Sequence, residues 1–361
     1  MKTTRRGAGR GQRGALRTVL LLVAVAAFAL LVRELAHVLL VVFAAVLFAI
    51  FLDGMTRLVE HLLPLRRAWC FWIGVLALAV FGASIITLAG TRIANQITQL
   101  GARLPEAVEG VAAKLEETGW GQTLLRLAPN PTDLLNDPGE VLGPISGVFT
   151  STFSAFVALI VVVIVGLYIA HDPGPYRRGV LLLTPQRSRE RAGEVMDSLG
   201  HALRWWLLGQ LGSMAIVGTM TGLGLWLIGM PLVLALGLIT GLFSFVPMIG
   251  PITSAIPALL IAVMEAPVKA LYVVGVYWIA QLLEGNLITP QIQKRTVSLA
   301  PGVLITAQLL MGTLFGILGV LLATPLVVAV TVLVQMLYVQ DLLGTDVRVL
   351  GDHQRGSGGP K

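Results

Sequence analysis

Few side chains in this 361-residue sequence could do chemistry, and the most suggestive of them stand among apolar neighbours. Gln281-Leu-Leu-Glu284-Gly285-Asn286-Leu-Ile-Thr-Pro290 follows the apolar run Val268–Leu283. Gln281 and Glu284 are three residues apart and share one helix face, with Asn286 just past its end. A carboxylate at the end of a membrane helix is a candidate for gating or coupling, because burying it at the bilayer centre costs about 3 kcal/mol. It can equally be a solvated helix terminus. Two other segments offer backbone rather than side-chain chemistry. In Phe243-Ser-Phe-Val-Pro247-Met-Ile-Gly250-Pro251 the two prolines lack N–H groups, so nearby carbonyls lose their helical donors. Gly312-Thr-Leu-Phe-Gly316-Ile-Leu-Gly319 leads in the same way into Ala323-Thr-Pro325-Leu. Unpaired backbone at membrane depth survives only where protein or a watery cavity surrounds it.

Catalytic chemistry finds no support. His37, His61, His171, His201 and His353 have no metal-ligand spacing, and the single Cys70 excludes an intramolecular disulfide or a cysteine-built metal site. There is no His-Glu-x-x-His, Gly-x-Ser-Gly or Gly-x-Gly-Asp, and no phosphate loop through which ATP could drive a process. No enzyme activity, cofactor or metal is expected.

The elements that must position these residues follow from composition. The chain is 56% hydrophobic and 12% charged, with a mean hydropathy of +0.84. A soluble domain carries about 25% charged residues. Half that charge cannot cover a soluble globule, which excludes a soluble enzyme, a disordered chain and a nucleic-acid binder. The expected fold is an all-α polytopic integral membrane protein with five to eight spanning helices and Gly/Pro-broken re-entrant hairpins in the C-terminal half. Forty glycines agree with this, since small residues let membrane helices approach closely.

Residues 1–17 carry six bases and no acid, and form a basic cytoplasmic N-terminus. Residues 18–90 hold membrane helices, the first two (Thr18–Val32 and Leu35–Leu52) expected as a retained hairpin separated by Arg33-Glu34. Residues 91–144 have seven acids against four bases and form an extracytoplasmic helical segment. Its stripe of Ile93, Ile97, Leu100, Leu104, Val108, Val111 and Leu115 fits a helix restarted at Pro105, lying on the bilayer or contacting another copy. Residues 145–170 are a further span. Residues 171–204 are a cytoplasmic amphipathic segment whose arginines face anionic lipid, with Trp205-Trp206 as an interfacial belt. Residues 205–340 form a core with two broken hairpins, and 341–361 a flexible cytoplasmic tail. With the N-terminus inside, alternation puts the arginine-rich 53–67 and 171–204 on the cytoplasmic side of the cell membrane, as the positive-inside rule requires.

In the core, the arms Leu232–Val246 and Ile252–Met264 reach only about 20–23 Å at 1.5 Å per residue, short of a roughly 30 Å hydrocarbon layer. A re-entrant hairpin is expected, a proline-kinked helix being the plainer alternative. Val303–Tyr338 would measure about 54 Å as one helix, so it must bend or turn back, and Thr324-Pro325 is the expected place. Two such interruptions in one chain point to a transporter's substrate site. Gln210, Thr240, Ser244, Gln308 and Thr313 are the other polar groups at membrane depth, each able simply to bond a neighbouring helix.

These residues also carry a family resemblance. Phe-Val-Pro247-Met-Ile-Gly250-Pro251, Glu284-Gly285-Asn286-Leu-Ile-Thr-Pro290, Phe315-Gly316-Ile-Leu-Gly319 and Ala323-Thr-Pro325-Leu resemble motifs of the autoinducer-2 exporter family, as does Leu208-Gly209-Gln210. The chain departs from the pattern at Ala300, where the family often has His, and at Met248. The resemblance implies a secondary permease built as a homo-oligomer, a pentamer, whose members export autoinducer-2 or exchange sodium for protons. It further implies transport or gating roles for Gln210, Pro247, Gly250, Pro251, Glu284, Gly285, Asn286, Pro290, Gly312, Gly316, Gly319 and Pro325. The expected partners are a small polar solute or cation, membrane lipids and other copies of the chain, with no nucleic acid. A passive channel or a structural membrane oligomer is the competing expectation.

Overall fold

The computed structural model describes residues 8–116, 152–288 and 300–344. Among them the regular structure is all helical. In chain order the helices are α1 (Ala8–Leu62), α2 (Arg67–Glu116), α3 (Thr152–His171), α4 (Pro173–Leu182), α5 (Arg189–Leu227), α6 (Val233–Phe243), α7 (Ile249–Glu265), α8 (Pro267–Leu283) and α9 (Pro301–Leu333). A 3-10 turn at Gln186–Ser188 and π-helical turns at Glu284–Ile288 and Val334–Gln340 complete them. Glu34–Leu62, Arg67–Ser84 and Gln186–Leu227 are long and apolar enough to cross a membrane; Pro301–Gln340 has the length and composition too but is broken at Gly316, and α3 with the bent α4 makes a further candidate. This is an all-α polytopic membrane protein, at the lower end of the expected number of spans.

The N-terminal half corrects two expectations. The first two apolar runs are one continuous helix of 55 residues, about 82 Å long, instead of a hairpin. Only Arg33-Glu34 separates the runs, and both residues are good helix formers; without Gly or Pro nothing ends the helix. The alternation that put residues 1–17 and 53–67 on one side therefore loses its first turn. Asp53 instead gathers three arginines. Arg57 Nε donates to its Oδ2 at 3.0 Å, Arg67 Nη2 to Oδ1 at 2.6 Å and Arg204 Nη2 to Oδ2 at 2.6 Å, which ties α1, α2 and α5 together.

The second correction concerns 91–116. α2 runs straight through Pro105, with no restart. Its covered face is Gln96, Leu100, Leu104 and Ala107, and what covers it is this chain's own α6 and α7. Leu100 is buried and clusters with Leu225, Leu236 and Ile261, Leu104 packs against the same cluster, and Ala107 is buried. Gln96 Oε1 accepts the Ala235 N–H at 3.0 Å, one of the first-turn donors that α6 leaves unpaired. Within the stripe, Leu100 and Leu104 are thus covered by this chain, whereas Ile97 is exposed. Residues 117–151 lie outside the described residues, as do 1–7, 289–299 and 345–361.

The basic stretch before Trp206 and the apolar run after it are likewise one helix, α5, which serves as the central mast. Trp206 is no belt residue: it is buried, edge-on to Phe245 with ring centroids 5.9 Å apart. The chain reverses at Gly229–Leu232, with Gly229 (φ 68°) and Leu232 (φ 58°) both left-handed, and α6 returns along α5. Gly218 and Gly222 of α5 meet Gly237 and Gly241 of α6, two facing Gly-x-x-x-Gly pairs. A Cβ at Gly237 would sit 3.0 Å from the Gly218 carbonyl oxygen and 3.0 Å from Gly222 Cα. The backbones therefore touch, which is how membrane helices gain packing where apolar burial drives nothing.

The second interruption turns at Gly316, not at Thr324-Pro325. Gly316 has φ 63° and ψ −145°, a conformation essentially reserved for glycine. Gln308 Nε2 lies 3.5 Å from Thr324 Oγ1, although sixteen residues of straight helix would separate them by about 24 Å. A Cβ at Gly312 would come within 2.8 Å of Val320 Cγ2, and one at Gly319 would collide with the Met311 carbonyl. The arms thus fold flat on each other. Pro325 is buried within the returning arm, a helix-interior position that the chain tolerates without turning. We expect Gly316→Ala to cost about 1–3 kcal/mol, seen as a lower melting temperature of the purified protein. Pro325→Ala should cost less; the reverse order would put the turn back at Pro325.

Candidate functional site

α5 carries two buried polar side chains one helical turn apart, Gln210 and Ser213. Each holds a different part of the C-terminal half. Gln210 Nε2 donates to the Ser244 carbonyl at 2.6 Å, at the end of α6 where the first broken hairpin turns. Ser213 Oγ donates to Glu284 Oε1 at 2.9 Å, at the end of α8, and Gln281 Nε2 approaches Oε2 at 3.4 Å. Glu284 is half-buried and starts a π-helical turn. Wide turns of this kind interrupt the regular hydrogen-bond ladder and are frequent at functional sites.

The first hairpin tip is tight for identifiable reasons. α6 has 11 residues and α7 17, about 16 and 26 Å, both shorter than a hydrocarbon layer of roughly 30 Å. Between them Ile249 N donates to the Pro247 carbonyl at 2.9 Å, closing a γ-turn centred on Met248 at φ 69° and ψ −49°. That conformation is rare and strained for a non-glycine residue. Gly250 then passes so close to the Phe243 carbonyl that a Cβ there would collide with it. The tip stops beside Gln210, near the middle of the 39-residue α5, so the two short arms form a hairpin here.

The two broken hairpins meet. Gln308 Nε2, from the first arm of α9, donates to the Pro247 carbonyl at 3.2 Å. Gln308 is 1% exposed, and its Oε1 has no hydrogen-bond partner among the described residues. A buried amide oxygen without a protein partner costs about 1–3 kcal/mol. Tyr277 OH lies 2.9 Å from Thr240 Oγ1 and donates to the Ser254 carbonyl at 3.1 Å, tying α8 to both arms of the first hairpin.

The structure brings together Gln210, Pro247, Gly250 and Glu284 around α5, with Gly312, Gly319 and Pro325 supporting Gln308 and Thr324 from the second hairpin. Pro251 lies in the first turn of α7, its carbonyl accepting from Ser254 Oγ at 3.0 Å. Gly285 and Asn286 are exposed; Asn286 Nδ2 only closes its own turn by donating to the Leu282 carbonyl at 2.8 Å. Gly316 is exposed at the turn of the second hairpin. Pro290 lies outside the described residues. Thr313 bonds its own helix through the Leu310 carbonyl. Ser213 and Tyr277 were not among the sequence candidates; the signal for Ser213 was its spacing of three from Gln210 inside an apolar run. Gln210→Leu leaves the buried Ser244 carbonyl without its donor, and we expect it to lower stability by about 1–3 kcal/mol, read as a falling melting temperature in detergent.

A family model described as AI-2E family transporter matches residues 18–338. YrrI of Bacillus subtilis (strain 168), named provisionally as a transport protein, is 37% identical over 192 residues, 52% of this chain and 53% of its own. YueF of the same organism, named in the same way, is 26% identical over 298 residues, 78% of this chain and 79% of its own. The AI-2 transport protein TqsA of Escherichia coli (strain K12) is 23% identical over 309 residues, 81% of this chain and 84% of its own. The match to YrrI thus spans about half the length of each chain, whereas those to YueF and TqsA cover most of both. With the family model running through nearly every described helix, the chain belongs to the AI-2E family of transporters.

Proposed function

We propose that this chain is a secondary transporter of a small polar solute, whose path runs through the junction of its two broken hairpins. The observation that carries this reading is the Gln308–Pro247 contact, with the unpartnered Gln308 Oε1 buried beside it. Broken helices meeting at depth present carbonyls and helix ends to a passing solute, and their unpaired backbone requires a protein or watery lining. Glu284, held by Ser213 on the same mast as Gln210, is the candidate coupling group. The solute is autoinducer-2, as the name of TqsA suggests for that relative, or a monovalent cation exchanged for protons. Transport would take place in the cell membrane, by a homo-oligomer, with the arginine-rich end of α5 on the cytoplasmic side.

The test is reconstitution of the full chain in liposomes holding a pH-sensitive dye and a proton gradient, to which sodium and then autoinducer-2 are added. Dye recovery with sodium supports cation/proton exchange; recovery only with autoinducer-2 supports proton-coupled export of the signal. Silence with both overturns coupled transport of either solute. Counterflow of labelled solute against a gradient then separates a carrier from a passive channel, which merely equilibrates it.

A further inference from the structure

Three side chains from three helices hold the first broken hairpin. Gln210 of α5 binds the Ser244 carbonyl, Gln308 of α9 binds the Pro247 carbonyl, and Tyr277 of α8 joins the two arms. The Tyr277 clip sits at matching depth on both arms, because Thr240 and Ser254 each stand seven residues from Pro247. Both of these residues are buried.

One hydroxyl serves both arms. Tyr277 has a single proton, which it gives to the Ser254 carbonyl at 3.1 Å, so toward Thr240 Oγ1 at 2.9 Å it accepts. The Thr240 proton is shared between Tyr277 and the Leu236 carbonyl, 2.8 Å away. Pro257 inside α7 has no N–H for the Thr253 carbonyl and its ring crowds that turn, which opens the neighbouring Ser254 carbonyl to a partner outside the helix. Removing the Tyr277 hydroxyl alone therefore unties α8 from α6 and α7 together.

Tyr277 shares its helix with Glu284. Seven residues separate them, about 10 Å along the axis and within about 20° of the same face. No glycine or proline stands between them, so this length of α8 moves as a rod. At its far end Glu284 is held to α5 by Ser213. A shift of Glu284 against Ser213 is thus also a shift of Tyr277, and of the hairpin arms it clips.

We infer that Tyr277 is a positioning residue for transport: through its hydroxyl, movement of the Glu284 end of α8 is passed to both arms of the first hairpin and so to the tip at Pro247 and Met248. This rests on the transport path proposed above and gives the coupling group a mechanical connection to the hairpin junction. Glu284 and Gln308 then need no direct contact. Such a link is established by coupling between variants, since proximity alone does not demonstrate it.

The test is the mobility of a nitroxide label on Met248→Cys, in a Cys70→Ser background, with the full chain in nanodiscs. Met248 is half-exposed at the tip and leaves room for the label. Ser213→Ala frees the end of α8 and should change the label's spectrum; in Tyr277→Phe that response should be lost. Tyr277→Phe alone should sharpen the spectrum, and Thr240→Val should do the same. Thr240→Ser, which keeps the hydroxyl, should give the parent spectrum. A response to Ser213→Ala of equal size with and without the Tyr277 hydroxyl overturns the inference, as does no response in either. If Tyr277→Phe fails to fold, Thr240→Val removes the other side of the bond and decides the same point. In the dye assay, Tyr277→Phe should lower the maximal rate of recovery with little change in the half-saturating concentration of sodium or autoinducer-2. A parent protein silent to both solutes removes the transport reading, whereas the spectra still decide whether Tyr277 links α8 to the tip.

Discussion

Glu284→Gln is expected to bring solute-driven dye recovery down to the level of empty liposomes, because the coupling charge is gone, while the yield and melting temperature of the folded protein stay unchanged. The separation of the two readouts follows from the geometry. Glutamine keeps an oxygen where Oε1 accepts from Ser213 Oγ, so α8 remains fastened to α5. What disappears is the charge, which is the only property of Glu284 that coupling to a cation or proton would use. Ser213→Ala is the complementary variant: it keeps the charge and releases the fastening, so a modest loss of stability should accompany a partial loss of transport. Normal flux in Glu284→Gln removes Glu284 from the mechanism.

Gly237→Leu is expected to be the most damaging single change to the fold. The new side chain would meet the Gly218 carbonyl and Gly222 Cα, both backbone, at contact distances that no rotamer can relieve. Overpacking typically costs about 1–3 kcal/mol when side chains can shift, and here they cannot, so the cost lies at or beyond the top of that range. Separating α5 from α6 would also pull the Ser244 carbonyl away from Gln210. The measurement is the melting temperature and the monodisperse yield after solubilisation, with Gly275→Leu as the control. Gly275 has open space where its Cβ would be, so that variant should behave as the parent does. Equal damage from both would mean that α5 and α6 do not touch as described.

What the sequence reveals depends on whether a feature is encoded in backbone chemistry or in context. The first broken hairpin was legible, because Pro247, Gly250 and Pro251 limit the backbone there whatever surrounds them. The second was legible as a break but not in place: Pro325 is the more conspicuous residue, yet a reversal needs a positive φ, which Gly316 supplies and proline cannot. Treating Arg33-Glu34 as a turn gave charge a role that only helix-breaking residues play, and α1 runs through it. In the apolar stripe of α2, Leu100 and Leu104 mark a covered face, while Ile97 stands exposed. Periodicity does not say what covers a face, and the occupant is the long-range partner pair α6 and α7. The facing Gly-x-x-x-Gly pairs and the Gln210/Ser213 spacing were written in the sequence, but they acquire meaning only once α6 is known to fold back on α5.

The most direct test of the junction as the transport path is cysteine accessibility in sealed proteoliposomes, in a Cys70→Ser background, with a membrane-impermeant thiol reagent supplied on both sides. Met248 stands half-exposed at the tip of the first hairpin, next to the Pro247 carbonyl that Gln308 holds; Leu309, the residue after Gln308, is 68% exposed on the outer surface of the helices. If solute passes the junction, Met248→Cys is modified and modification stops dye recovery, while Leu309→Cys, facing lipid, stays unmodified. Modification of Leu309→Cys at the same rate, or modification of Met248→Cys with dye recovery unchanged, would contradict a path between the hairpins.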